Sequence, residues 1–180
     1  MYIKIIKLIF KYFLFKIYIM PEINRIKIYT DGACQNNGKL NAKCGVGIYF
    51  GKDDTRNLSK ALKGPLQTNN IAELTAILYC LKILLKTEKN IDDNMFIIFS
   101  DSKYSIDCIT KYIVVWLKNN WQTATKKPVK NRTIIESIYN MMSLFKNLEF
   151  KYIKAHTKNM DEDSIGNRNA DLLATNSLRE

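Results

Sequence analysis

Along residues 25–31 apolar and polar side chains alternate, Ile26, Ile28 and Thr30 against Arg25, Lys27 and Tyr29, the period of a half-buried strand that closes at Asp31 and Gly32. A second strand, 45–50, follows a polar turn, and 57–62 returns as a third, so the chain opens on a meander. The period then becomes helical. Over 70–86, Leu74, Ile77, Leu78, Leu81, Leu84 and Leu85 recur at intervals of three and four, with Lys82 and Lys86 opposite. Residues 95–99 are continuously apolar, as in a strand covered on both faces, and they follow a helix, as a parallel crossover requires. Helix is expected over 104–116, then a polar, basic and aromatic stretch at 118–130, helix again over 133–145 and a strand at 148–154. A polar loop from His156 through Ser164 leads to a terminal helix at 167–178. The order βββαβααβα predicts an α/β fold with a sheet of mixed strand direction.

A chain of 180 residues holds one domain with a real core. Its formal net charge is +11, of which residues 1–20 supply +4 through Lys4, Lys7, Lys11 and Lys16, leaving +7 on the body at 21–180. A basic body points to a polyanionic partner, with a merely soluble surface as the plain alternative. Cys34, Cys44, Cys80 and Cys108 form no CxxC pair, and His156 is the sole histidine. That pattern argues against a Cys/His zinc site and predicts reduced thiols in an intracellular protein, cytoplasmic or nuclear. In residues 1–20, Lys11 and Lys16 break the apolar run before the ~18 uncharged residues of a spanning helix, and no small-residue cleavage site precedes Pro21. A targeting segment, an interfacial helix with Lys4, Lys7 and Lys11 on one arc, and a chain that starts at Met20 all stay open; membrane contact depends on the segment being real.

Four acids change the picture. Asp31 and Asp101 close strands that a crossover can make neighbours, and ligand sites collect at such strand ends. Glu73 shares the azimuth of Ile77, Cys80 and Leu84, so it faces the sheet and not the lysine side. Asp171 lies in the terminal helix. Each has a structural alternative: turn formation for the two aspartates, a first-turn acid behind an Asn70 N-cap for Glu73, a solvated face for Asp171. Gathered at one end of two central strands, four carboxylates repel one another and call for hard divalent cations, Mg²⁺ or Mn²⁺, of the kind used in pairs for phosphoryl displacement.

The local motifs resemble those of type 1 ribonuclease H, from about Lys27 to Leu178. They are Tyr-Thr-Asp-Gly at 29–32, Gln-Thr-Asn at 67–69 with Ala72-Glu73, Ser-Asp-Ser at 100–102, Trp116 through Trp121, His156, and Gly-Asn-x-x-Ala-Asp at 166–171. The resemblance implies a ribonuclease H-like fold: a five-stranded sheet, three strands antiparallel and then two parallel, in the order 3-2-1-4-5, with helices on both faces. It implies hydrolysis of the RNA strand of an RNA/DNA hybrid with two Mg²⁺ ions, Mn²⁺ being a substitute, to leave 5′-phosphate and 3′-hydroxyl ends. Asp31 would then bridge both metals, Asp171 complete the water-activating ion, Glu73 and Asp101 hold the ion facing the departing oxygen, and His156 assist proton transfer or product release.

By the same resemblance Cys34, Asn36, Asn37, Asn69 and Asn70 touch the RNA strand. Tyr104, Tyr112 and Trp116 line a DNA channel, Thr68 and Asn131 a phosphate pocket, and Lys118, Lys126, Lys127 and Lys130 a basic protrusion, while Trp121 is expected in the core. Departures are Leu66 and Ala124 where relatives carry Arg and Ser, Ala155 where Gly is usual, and a longer loop to Asp171 holding Asp161, Glu162 and Asp163, expected to be solvated. A monomer with no obligate protein partner is expected. A non-catalytic hybrid-binding module and a same-fold DNA nuclease are the alternatives.

Overall fold

The computed structural model describes residues 23–64 and 67–179; the expectations placed on residues 1–20 and on Leu66 lie outside the described residues. Strands β1 (Asn24–Gln35), β2 (Lys43–Tyr49), β3 (Leu58–Ala61), β4 (Asn94–Ser100) and β5 (Leu148–Tyr152) form one sheet in the order β3-β2-β1-β4-β5. The first three are antiparallel, and β4 and β5 add in parallel on the other side of β1. The helices are α1 (Asn69–Thr87), α2 (Lys103–Asp107), α3 (Ile113–Lys118), α4 (Arg132–Met142) and α5 (Glu162–Asn176).

The alternation along β1 sorts its side chains onto two faces. Ile28 joins Ile48, Leu74, Ile77, Leu81, Phe96, Ile98, Ile135 and Ile138 in the large core between the sheet and α1 and α4. Tyr29 faces the other way, with Ile97, Phe99 and Ala170, under α5. Helices therefore cover both faces. A fully buried Leu or Ile contributes roughly 1.5–3 kcal/mol over its exposed state, so the larger core holds the sheet on which the site stands.

Four local expectations are corrected. β1 does not close at Asp31: its parallel pairing with β4 ends at Thr30 and Ser100, but β2 continues to pair with it from Asp31 to Gln35. The helix expected over 104–116 is α2 and α3 joined by one wide π turn, Cys108–Tyr112. The terminal helix begins at Glu162, five residues early, because Asp161 caps it by accepting from the Ser164 N–H at 2.9 Å. The cysteines are not all free: Cys34 and Cys44 are directly opposed on β1 and β2 and are joined as a disulfide, while Cys80 and Cys108 are buried thiols.

Candidate active site

Asp31 occupies the first position at which β1 has lost its β4 neighbour, and Asp101 directly follows the end of β4. Glu73 comes from α1, and its place depends on glycine: a Cβ on Gly32 would lie 2.2 Å from the Glu73 backbone nitrogen, so only Gly lets α1 start this close to β1. The cap of α1 is Thr68, whose hydroxyl accepts from the Ile71 N–H at 3.3 Å. Asn70 is a helical residue and not the cap, so the first-turn acid role considered for Glu73 falls away.

Asp31 and Glu73 are only 6% and 5% exposed. Together with Asp101 they offer three carboxylate oxygens that all lie within 4.8 Å of one another. Asp171 and His156 line the same cavity of about 360 Å³, with Asn69 and Ser102. Among the described residues none of the four acids pairs with Lys or Arg. Glu73 Oε2 is buried with no hydrogen-bond partner. Burial, reinforced by Asp101 and Asp171, pushes the Asp31 carboxyl up to about 7. Burial and then Asp31 hold Glu73 well above its ordinary range, and burial raises Asp101 as well. An all-oxygen donor set that repels itself and leaves a buried oxygen unpartnered fits hard divalent cations.

The supporting groups are unevenly placed. Asn167 Nδ2 donates to Asp101 Oδ2 at 3.4 Å, and its own Oδ1 is buried and unpartnered. Asn167 stands four residues before Asp171 in the Gly-Asn-x-x-Ala-Asp motif, a spacing that puts both on one helix face and is the sequence signal for its supporting role. His156 is exposed at the rim in a left-handed conformation, φ 50°.

On the expected RNA side, Asn37 Oδ1 accepts from the Asn69 N–H at 3.0 Å, tying the β1–β2 turn to the start of α1. Asn36 and Asn70 are exposed beside them, and Cys34 carries the disulfide instead of a free thiol. Of these five, Asn69 alone lines the carboxylate cavity.

On the expected DNA side, Asn131 Nδ2 donates to the Tyr104 hydroxyl at 3.1 Å. Tyr112 and Trp116 follow with ring centroids 5.6 Å apart, and Trp116 stacks on the buried Trp121 at 6.2 Å. The Thr68 hydroxyl accepts in the α1 cap and keeps its own proton to donate; among the described residues no hydrogen bond joins it to this group. Lys118, Lys126, Lys127, Lys130 and Ala124 are exposed around the loop between α3 and α4; Ala155 is half-buried beside His156 and lines the carboxylate cavity.

A mixed 3-2-1-4-5 sheet with carboxylates gathered where β1 and β4 part defines a ribonuclease H-like fold. The solution structure of the PFV RNase H domain has the same fold, with a TM-score of 0.63 at 24% identity over 88% of this chain and 96% of that one. The family model for RNase H matches residues 24–179, and the chain belongs to that family, in its type 1 branch. It is 38% identical over 157 residues to a ribonuclease H of Schizosaccharomyces pombe, covering 87% of this chain and 54% of that protein. A ribonuclease H of Ehrlichia canis is 36% identical over 157 residues, covering 87% of this chain and 97% of its own. The chain thus spans about half the length of the yeast relative and nearly all of the bacterial one.

Proposed function

We propose that this chain is a metal-dependent endoribonuclease that hydrolyses the RNA strand of RNA/DNA hybrids. The observation that carries the proposal is the triad of buried Asp31, buried Glu73 and half-buried Asp101, with Glu73 Oε2 unpartnered and no basic side chain paired to it among the described residues. Asp31, Glu73, Asp101 and Asp171 would hold two Mg²⁺ ions, with Mn²⁺ as substitute. When bound, such ions lower the pKa of water and offset charge on the leaving oxygen. The carboxylates in turn orient that chemistry toward one phosphodiester from a rigid sheet, and Asn167 holds the Asp101 carboxylate in place. His156, exposed on its loop at the edge of the site, would assist proton transfer or product release.

Selectivity comes from the two flanks. Asn36, Asn37, Asn69 and Asn70 both donate and accept, as reading a 2′-hydroxyl requires. Tyr104, Tyr112, Trp116, Thr68, Asn131, Lys126 and Lys127 offer stacking, hydrogen bonds and phosphate neutralisation to the DNA strand. Residues 21–180 act as the catalytic unit, as a monomer without an obligate protein partner, inside the cell where hybrids arise. Among the described residues no helix is long and apolar enough to cross a membrane.

The reading is tested by offering one sequence as RNA/DNA hybrid, duplex DNA, duplex RNA and single-stranded RNA in Mg²⁺. Cutting confined to the RNA of the hybrid is the expected result. Comparable cutting of duplex DNA would support a same-fold DNA nuclease, and no cutting at all a hybrid-binding module.

A further inference from the structure

The acidic run is exposed at Asp161 and Glu162, as expected of a solvated segment, and half-buried at Asp163, yet all three carboxylates are engaged. Asp161 caps α5 through both the N–H and the hydroxyl of Ser164, at 2.9 and 2.8 Å. Asp163 Oδ1 accepts from the Tyr29 hydroxyl and from Lys27 Nζ, each at 2.8 Å, and Lys27 reaches Glu162 at 2.7 Å. The extra residues after His156 have become an added first turn of α5, tied to β1.

That turn grips the strand that carries Asp31. Tyr29 and Asp31 are two residues apart and so stand on one face of β1, the face that α5 covers. Asp163 and Asp171 are eight residues apart on α5, about 12 Å along its axis. The two elements are therefore pinned together at Tyr29 and must meet again at the carboxylates. Between those points α5 makes a long side-chain bond toward the sheet, Asn167 to Asp101 beyond the end of β4, and its contact with the sheet otherwise runs over small residues. Gly166 lies so close to the Tyr29 ring that a Cβ would come within 2.3 Å of it, and on the neighbouring strand β2 a Cβ on Gly47 would lie 2.0 Å from the Ala170 carbonyl oxygen. Small residues permit close approach but give little resistance to sliding along the axis. A further tie, Ser59 to the Leu173 carbonyl at 2.8 Å, fixes the far end to β3 and not to β1.

We propose that Tyr29, Lys27 and Asp163 form a positioning clamp that sets the axial register of α5, and so brings Asp171 to the distance from Asp31 at which both can hold metal. The proposal rests on the reading of Asp171 as a metal ligand. It makes Asp163 and Tyr29 positioning residues: neither touches substrate, and both act through Asp171.

The test is Mn²⁺ binding to the full 180-residue chain by calorimetry, without nucleic acid, for wild type, Asp163→Ala, Asp163→Asn, Tyr29→Phe and Asp171→Asn, with thermal melting in parallel. Removing a supporting partner of a metal ligand typically weakens binding 10- to 100-fold. Asp163→Ala is expected to weaken Mn²⁺ about tenfold, and Asp163→Asn, whose amide oxygen still accepts but carries no charge for Lys27, and Tyr29→Phe by several-fold, with Tyr29→Phe/Asp163→Ala no worse than Asp163→Ala because the alanine already leaves the Tyr29 hydroxyl without its acceptor. Asp163→Asn and Tyr29→Phe keep the volume at their sites, so they report even where Asp163→Ala melts early. Lower melting temperatures with Mn²⁺ affinity within twofold of wild type would overturn the clamp while Asp171→Asn still weakens binding. If Asp171→Asn also binds like wild type, the reading of Asp171 falls and the clamp falls with it.

Discussion

Asp31 and Glu73 stand on a strand and a helix whose neighbours Ile28, Leu74, Ile77 and Ile98 are wholly buried, whereas Lys126 and Lys127 stand on an exposed loop with no strand or helix of its own. That loop concentrates strain. Asn120, Trp121, Lys126 and Asn131 all have φ between 56° and 60°, a conformation that side-chain-bearing residues seldom adopt. Its buried anchor is Trp121, which donates its backbone N–H to the Trp116 carbonyl at 2.8 Å, accepts from the Val129 N–H at 3.0 Å, and lies under the Arg132 guanidinium at 4.9 Å. Chemistry that needs fixed geometry is carried by the core, and recognition that needs only charge and flat rings is carried by the surface. The two regions should therefore fail differently.

The sharpest contrast is expected from Asp101→Asn. Single-turnover cleavage should fall by roughly 10³-fold or more, because the change removes a group needed at the reacting phosphate, while hybrid Kd changes only a few-fold. Loss of binding and cleavage together would mean that Asp101 maintains the fold.

Asp31→Asn should separate activity from stability. The folded carboxyl titrates near 7, far above its ordinary range, so the folded protein binds the proton more tightly than the unfolded chain. Stability of the metal-free protein should fall as pH rises from about 4 to 7, and the whole penalty is present above that window, roughly 4 kcal/mol at most. Urea unfolding in chelator at pH 5 and pH 8 should show wild type weaker at pH 8 and a smaller difference for Asp31→Asn, in which the raised Glu73 and Asp101 carboxyls still contribute. An equal pH dependence in both would contradict the proposed repulsion.

On the basic loop, Lys126→Ala with Lys127→Ala should raise hybrid Kd by about tenfold at moderate salt and reduce the slope of log Kd against log salt by about 2, with cleavage at saturating hybrid unchanged. A fall in the saturated rate would erase the division between the two regions. The smallest effect is structural: Asn120→Gly should raise stability by about 0.5–1 kcal/mol in urea unfolding, since Gly adopts positive φ without a steric penalty.

Legibility in the sequence follows the same division. The strands and α1 were readable because burial imposes periods of two and 3.6 on apolar residues, and the carboxylates because each sits in a short fixed motif. What was not readable depended on contacts across the sheet. The disulfide requires Cys34 and Cys44 to be opposite in register, and no spacing rule gives register. The early start of α5 depends on Asp161 finding Ser164 and on Asp163 finding Tyr29 and Lys27, more than 130 residues away in sequence. The π turn leaves no period of its own, so 104–116 read as one helix. Thr68 and Asn70 are equally good caps on paper, and packing against Gly32 accompanies the choice of the first.

The most direct test of the two-metal reading is the cleavage of an RNA/DNA hybrid followed across a Mg²⁺ titration, with the products analysed at both ends of the cut. The account predicts no cleavage in excess chelator, restoration by Mg²⁺ and by Mn²⁺, and RNA fragments ending in 5′-phosphate and 3′-hydroxyl. Cleavage that persists in chelator, or products with 3′-phosphate or 2′,3′-cyclic phosphate ends, would contradict it, since those ends arise from attack by the RNA's own 2′-hydroxyl and not by water.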